Sequence, residues 1–285
     1  MTNTMEMLLR NYGEAMQIVA FSGALIACGI LELKLSRAGE RGLVHAARRR
    51  ARWPANFAIT GTNLALMLTL PVSVLMAADF AADRGWGLIG AIDMPPAAAV
   101  GAGFLARSLI AWAVHLATHK VPVLWRLHRV HHSDVDLDVS TTLRLHPLEF
   151  AVTIPLHIAG TLIFGIPPVA IIAYEAIDAG QTVVTHADLK LPRWLERVVR
   201  WLVVTPDVHR MHHSAVKWET DSNYGTVLSV WDHVFGTYTM RDEHGLATME
   251  IGLEELRDAR ANSYLWLIAL PFRGSSLGSK ASQDV

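Results

Sequence analysis

The chain has 285 residues, 52% of them hydrophobic and 18% charged, which is too apolar for an ordinary soluble domain of this length. Basic side chains number 25 against 26 acidic ones, a formal net charge of -1, so the overall charge points to neither a nucleic-acid partner nor an acidic tail. The single cysteine, Cys28, excludes an internal disulfide and a thiolate-held iron–sulfur cluster, so any redox chemistry must use other ligands.

In chain order, an apolar run from Met16 to Leu31 leads into a segment carrying Lys34, Arg37, Arg41, Arg48, Arg49, Arg50 and Arg52 against the single acid Glu40. That bias marks a cytoplasmic segment. The run is flanked by Glu6, Arg10 and Glu14 and no small-residue cleavage site follows it, so it is predicted to be an anchor and not a cleaved signal. Residues 55–78 hold no charge over 24 positions, enough at ~1.5 Å per residue to cross a ~30 Å hydrocarbon core. They are predicted to be a second span. An acidic connection (Asp79, Asp83, Asp93, with only Arg84) follows, and residues 95–118 return as a third span. Arg107 interrupts it, which predicts either a side chain facing the bundle interior or a kink.

Phe150 to Gly165 and Pro167 to Thr185 read as a helical hairpin divided by Pro167 and Pro168. An odd number of spans before residue 115 puts the next segment inside, and the hairpin returns His186 to the same side. In residues 193–204, Trp194, Leu195, Val198, Val199, Trp201 and Leu202 oppose Arg193, Glu196, Arg197 and Arg200, the pattern of a helix lying in the interface. The run SYLWLIALPF, residues 263–272, is too short to span and is predicted to be interfacial; residues 274–285 are predicted to be disordered. The fold class is therefore all-α, an integral-membrane helical bundle of about four to five spans or hairpins, capped by a cytosolic histidine-rich helical lobe. Three parts are expected: membrane-anchor helices with the basic loop in 1–94, a histidine-bearing domain in 95–240, and a cytosolic or interfacial tail in 241–285.

The histidines carry the chemistry. His115 and His119 are spaced i, i+4; His128, His131 and His132 give i, i+3, i+4; His209, His212 and His213 repeat that triplet. On helices these spacings share a face, and imidazole is the commonest metal ligand at neutral pH. Eight such groups exceed what one four-coordinate zinc uses, so two ions are more economical. The first cluster, HLATH, lacks the glutamate of the HExxH hydrolase motif. Ligand type alone leaves iron, copper and zinc open.

The order HxxxH, HxxHH, HxxHH, together with RLHPLE at 144–149, HADLKLP at 186–192 and DSNYGTVLSVWDHVFGTY at 221–238, resembles the integral-membrane fatty acid hydroxylase and sterol desaturase superfamily. The resemblance covers roughly residues 100–240. It implies a dinuclear non-haem iron site on the cytoplasmic face, with zinc as a metal that could occupy it on purification. Its ligands would be His115, His119, His128, His131, His132, His209, His212 and His213, with His186 as a ninth and His146 as a tenth candidate. It further implies dioxygen as co-substrate and hydrogen abstraction from an unactivated C–H bond of a lipid such as a sterol or fatty acyl chain, giving an alcohol or an alkene. This chain departs from the family pattern at Arg107 and Ser108, where an acid often precedes the first box. It departs also at Leu116, at Asp138 and at Thr182, where fatty acyl hydroxylases tend to have another histidine.

No dinucleotide fingerprint follows a predicted strand, so electrons would come from a separate ferredoxin, cytochrome or reductase. Arg126, Arg129, Lys190, Arg193, Arg197 and Arg200 form a basic surface that could dock such a carrier or simply face lipid headgroups. Asp138, Glu175, Asp178, Asn223 and Asp232 are candidates for groups that orient ligand histidines. Asn223, Tyr224, Gly225, Trp231, Asp232, Gly236 and Tyr238 are expected to build the turn presenting the last box. His45, His157, His233 and His244 are read as structural or surface groups. The location expected is the inner, or cytoplasmic, membrane with the metals on its cytoplasmic side. Two other functions remain: a zinc-dependent membrane hydrolase, and a metal transporter, which would be expected to hold its ligands nearer the bilayer midplane.

Overall fold

The computed structural model describes residues 3–35, 42–69 and 73–273. Arg37, Glu40, Arg41, the His45 side chain and the tail 274–285 lie outside what is described. The described residues are mostly helical, with two isolated bridges, Val203 to Leu228 and Ser214 to Ile251, and no named strand. The framework is α1 (Asn3–Leu35), α2 (Gly42–Met67), α3 (Val74–Arg84), α4 (Pro96–Lys120), α5 (Pro122–His132), α6 (Pro147–Phe164) and α7 (Pro168–His186). Five helices start on proline, at Pro96, Pro122, Pro147, Pro168 and Pro206. Its fixed φ suits a first turn and its missing N–H has no helical partner to lose there.

Among the described residues, Ala15–Leu35, Pro96–Lys120 and Pro147–Phe164 are long and apolar enough to cross a bilayer. The uncharged run 55–78 is not a single span. Its first half continues α2, which starts at Gly42 and carries Arg48 to Arg52 in the same helix, and its end belongs to α3. The sequence carries the reason: Ser73 caps α3, its hydroxyl accepting from the Met76 N–H at 3.2 Å, and a cap of this kind starts a new helix. Hydropathy registers only the absence of charge across that break.

The helix α7 packs along α1 and against α4, while α6 covers α4 and α3. Ala106, Ile110 and Val114 of α4 bury against Ile166, Ala170 and Ile171. The outward faces stay apolar and open, with Ile18, Val19 and Ile26 of α1 and Leu156 and Ile163 of α6 exposed, as lipid-facing surfaces should be. Arg107 faces the interior, where it meets Glu175 at 2.6 Å. The junction of α3 and α6 is tight: Leu88 and Ile89 N–H donate to the Ile163 and Phe164 carbonyls at 3.0 and 2.9 Å. Gly165, at φ 63°, closes α6, and a Cβ there would stand 2.1 Å from the Trp86 carbonyl oxygen. Gly165→Ala is therefore expected to cost at least about 2 kcal/mol through strain and clash together, seen as a lower thermal midpoint in detergent.

The lobe is built from short helices: α8 (Arg193–Val199), α9 (Pro206–His212), α10 (Lys217–Thr220), α11 (Val230–Phe235), α12 (Glu243–Thr248) and α13 (Tyr264–Ala269). On and after α8, Trp194, Val198, Trp201 and Leu202 are exposed while Glu196 is buried, accepting from the Thr205 hydroxyl at 2.6 Å. Residues 263–272 are partly interior: Trp266, Leu267 and Leu270 share a core with Ala55, Ile59 and Val130. Arg126 and Arg129 clamp this segment, donating to the carbonyls of Pro271 and of Leu270 and Arg273; Arg129 is buried and Arg126 exposed.

Candidate metal centre

Nine histidines converge into two buried groups. His115, His119, His128, His132 and His212 form one; His131, His186, His209 and His213 form the other, and within each group one potential ligand atom per residue lies within 4.8 Å of all the rest. The helical spacing explains the division. On α5, His128 and His132 are four apart and enter the first group, while His131, turned by one residue, enters the second. At α9 the arrangement reverses, with His209 and His213 in the second group and His212 in the first. The two triplets thus serve both groups, and the His132 and His213 rings stack at 4.5 Å across the divide.

Hydrogen bonds at Nδ1 fix which nitrogen is free. The Nδ1–H of His115 donates to the Tyr224 carbonyl at 2.8 Å, that of His212 to Ser222 at 2.6 Å and that of His186 to Thr182 at 2.6 Å. His128 Nδ1–H donates to Glu149 Oε1 at 2.7 Å. With the proton held on Nδ1, each of these rings presents its Nε2 inward. His115 Nε2 faces His128 Nε2 at 3.2 Å, two lone pairs that repel unless a cation lies between them. His186 Nε2 has one lone pair yet faces His131 at 3.1 Å and His209 at 2.9 Å. His212 Nε2 and both ring nitrogens of His119 are buried without a hydrogen-bond partner, His119 Nδ1 standing 3.7 Å from Asp221 Oδ1.

Burial lowers His131, His132, His209 and His213 well below the ordinary imidazole range, and pushes His212 down to about 3. They are thus kept in the neutral form that binds metal. Two imidazoles on one ion at ~2.0–2.1 Å each stand roughly 3 Å apart. The donor set, its tautomers and its orphaned nitrogens therefore fit metal ions.

His146 is not brought to either group. Its Nδ1 caps α6 by accepting from the Leu148 N–H, and its Nε2 lies 3.1 Å from the Ile268 carbonyl, so both nitrogens have structural partners. The groups expected to orient ligands are also placed differently. Asp138 caps a 3-10 turn and pairs with Arg52; Glu175 pairs with Arg107; Asn223, at φ 54°, donates to the carbonyls of Val208 and Thr239. Asp232 acts at one remove, accepting from the Tyr224 and Gly225 N–H groups at 2.8 Å and so fixing the loop whose Tyr224 carbonyl holds His115. His233 is stacked between Trp201 and Tyr238, and His244 is exposed.

Sequence reasoning missed Glu149. It stands in RLHPLE, but only the fold brings it to His128. The carbonyls of Thr182, Ser222 and Tyr224 were beyond reach, because any residue type supplies a carbonyl. Glu149→Gln is expected to weaken metal binding to the five-histidine group by about 10–100-fold, as read by chelator competition on the purified protein.

Residues 100–237 match the fatty acid hydroxylase family. The likeness to that family lies in this segment, which is just under half of the chain. It is 31% identical to the ornithine lipid hydroxylase OlsE of Rhizobium tropici over 127 residues, covering 45% of this chain and 38% of that protein. It is 29% identical to the alkylglycerol monooxygenase of Homo sapiens over 130 residues (45% and 28%), and 26% identical to the fatty acid hydroxylase vlmA of Lecanicillium sp over 155 residues (50% and 42%). The matched segment thus spans well under half the length of these relatives. No solved structure matches.

Proposed function

We propose that this chain is a membrane-bound lipid hydroxylase of the fatty acid hydroxylase superfamily, with two iron ions held by its two histidine groups. The observation that carries this reading is the pair of adjacent all-imidazole groups whose free Nε2 atoms converge beside a cavity inside the bundle. That cavity, of about 220 Å³, is lined by His115, His128, His131, His186 and His209 together with residues of α4, α6 and α7. Five imidazoles in one group exceed a four-coordinate zinc site, and imidazole suits iron. When bound, the metals would supply dioxygen activation for insertion of oxygen into a C–H bond. The relatives are called hydroxylases and monooxygenases, which favours hydroxylation over desaturation.

The chain's own residues prepare the site. The Nδ1 partners hold His115, His128, His186 and His212 with Nε2 inward, Glu149 being the partner of His128. Trp125 and Tyr224 rings lie 5.0 and 5.2 Å from His119 and help keep water out. Electrons come from a separate ferredoxin, cytochrome or reductase, since the sequence offers one cysteine. The basic segment of α2 reaches the histidine lobe through Arg52 and Asp134, so by the positive-inside rule the metals face the cytoplasm.

The test is to express the chain in iron-replete cells under 18O2 and follow lipid extracts by mass spectrometry, beside a His131→Ala, His132→Ala variant. One labelled oxygen in a lipid, absent from the variant, is the expected result. Oxygen arriving from water instead would favour the zinc-hydrolase reading, and no labelled lipid would sink the hydroxylase.

A further inference from the structure

Below the histidines the same cavity has a second polar tier. On three helices a polar residue stands eight positions from the histidine end: Arg107 from His115 on α4, His157 from Glu149 on α6, and Asp178 from His186 on α7. At ~1.5 Å per residue this tier lies ~12 Å deeper in the bundle. All six residues line the one cavity.

The tier sets one guanidinium, Arg107, against two carboxylates, Glu175 and Asp178, and is short of hydrogen bonds. Arg107, its side chain 6% exposed, gives Nε and Nη2 to Glu175 Oε1 at 2.9 and 2.6 Å, and its guanidinium lies 4.8 Å from the Tyr174 ring centre. Its Nη1 has no partner, nor do Asp178 Oδ1 and His157 Nδ1. Asp178 takes the Thr226 hydroxyl, which is bonded in turn to the Tyr174 hydroxyl at 2.7 Å, so its other oxygen remains free. Buried polar atoms are normally paired. Three orphans on residues that line one cavity, a donor and an acceptor among them, describe the missing half of a ligand.

We propose that Arg107, His157 and Asp178 recognise a neutral hydrogen-bonding group on the lipid substrate, a hydroxyl or a carboxamide. Its oxygen accepts from Arg107 Nη1 and from the His157 Nδ1–H, while its O–H or N–H donates to Asp178 Oδ1. The inference rests on reading the chain as a lipid hydroxylase and names the substrate class of that site. A carboxylate or phosphate would face Asp178 and Glu175, and an ammonium, having no acceptor, would leave Arg107 Nη1 unpaired. A plain hydrocarbon would leave every orphan unpaired. The volume holds about seven water-sized groups, so one end of a lipid enters and the rest stays in the bilayer. Phe150 shows the way out: it lines both this cavity and an apolar groove on the outer face of α6, formed with Ile154, Pro155, Ile158 and Leu162. With the polar group anchored at the deep tier and the oxidising end at the imidazoles, the carbon attacked is removed from the polar group along the chain.

The experiment is competition for tritiated dodecan-1-ol on the metal-loaded protein in detergent, using dodecanamide, dodecane and dodecanoate. Dodecanamide is expected to compete as well as the alcohol, with dodecane and dodecanoate at least about tenfold weaker, since a site built to pair a polar group rejects analogues that lack it. Asp178→Leu should lose at least about tenfold in dodecanol affinity while keeping its metal content, and Asp178→Asn should retain the affinity. His157→Leu serves in the same way if the Asp178→Leu protein does not fold. Equal competition by dodecane or by dodecanoate, or unchanged dodecanol binding in the leucine variants, overturns the proposal. Binding requires no turnover, so a protein that shows this preference yet labels no lipid would overturn the hydroxylase reading alone.

Discussion

His212→Ala is expected to lower the bound metal from about two ions per chain to about one, and His186→Ala to do the same at the other group. His212 belongs to the five-histidine group and His186 to the four-histidine group, although both lie within a few ångströms of shared neighbours. The double variant His131→Ala, His132→Ala removes one ligand from each, because consecutive helical positions point to different groups. It should retain almost nothing. Elemental mass spectrometry of detergent-purified protein gives the answer directly. Loss of all metal from either single variant would mean one indivisible site, and a wild-type protein with one ion or none would remove the two-ion reading.

The histidines were legible because their spacing is local. An i, i+3, i+4 triplet states its own geometry once it is on a helix, and α4, α5 and α9 are helices where the boxes fall. The division of HRVHH and HRMHH between two groups was not legible, since it depends on how α5 and α9 are rotated against each other. His146 shows the converse: a histidine beside two boxes and inside a recognisable motif is used as a helix cap. The span prediction over 55–78 failed for a different reason. Absence of charge says nothing about helix continuity, whereas Ser73, a small cap residue inside the run, does. Arg107 was visible as costly, but its partner Glu175 lies 68 positions away and only packing supplies it. The C-terminal run 263–272 read as interfacial because its length forbids a span; that three of its residues face a core depends on α2 lying beside it.

Arg52→Met is expected to be among the most damaging substitutions away from the histidines, costing about 3–5 kcal/mol. The Arg52 side chain is 1% exposed and its guanidinium bonds Asp134, and Asp138 at 2.9 Å, while Arg144 lies close to the same Asp134. Asp134 follows His132 by two residues, and Asp138 opens the turn that leads to Arg144. The network therefore ties the basic end of α2 to the loop that leaves the second histidine box. Methionine keeps much of the volume but leaves two buried carboxylates short of a cation, and such uncompensated charge dominates the cost. Burial pushes the Asp134 carboxyl up, but Arg52 and Arg144 together hold it below its ordinary 3.8. With its folded value depressed, its contribution is present at neutral pH and lost as the pH falls below about 4. In the variant the carboxyl is freed to protonate at higher pH, which relieves the buried charge. The melting-temperature deficit of Arg52→Met should accordingly be widest near neutral pH and narrow as the pH approaches about 4. A deficit that is independent of pH would show that lost packing, not unpaired charge, is what the arginine prevents.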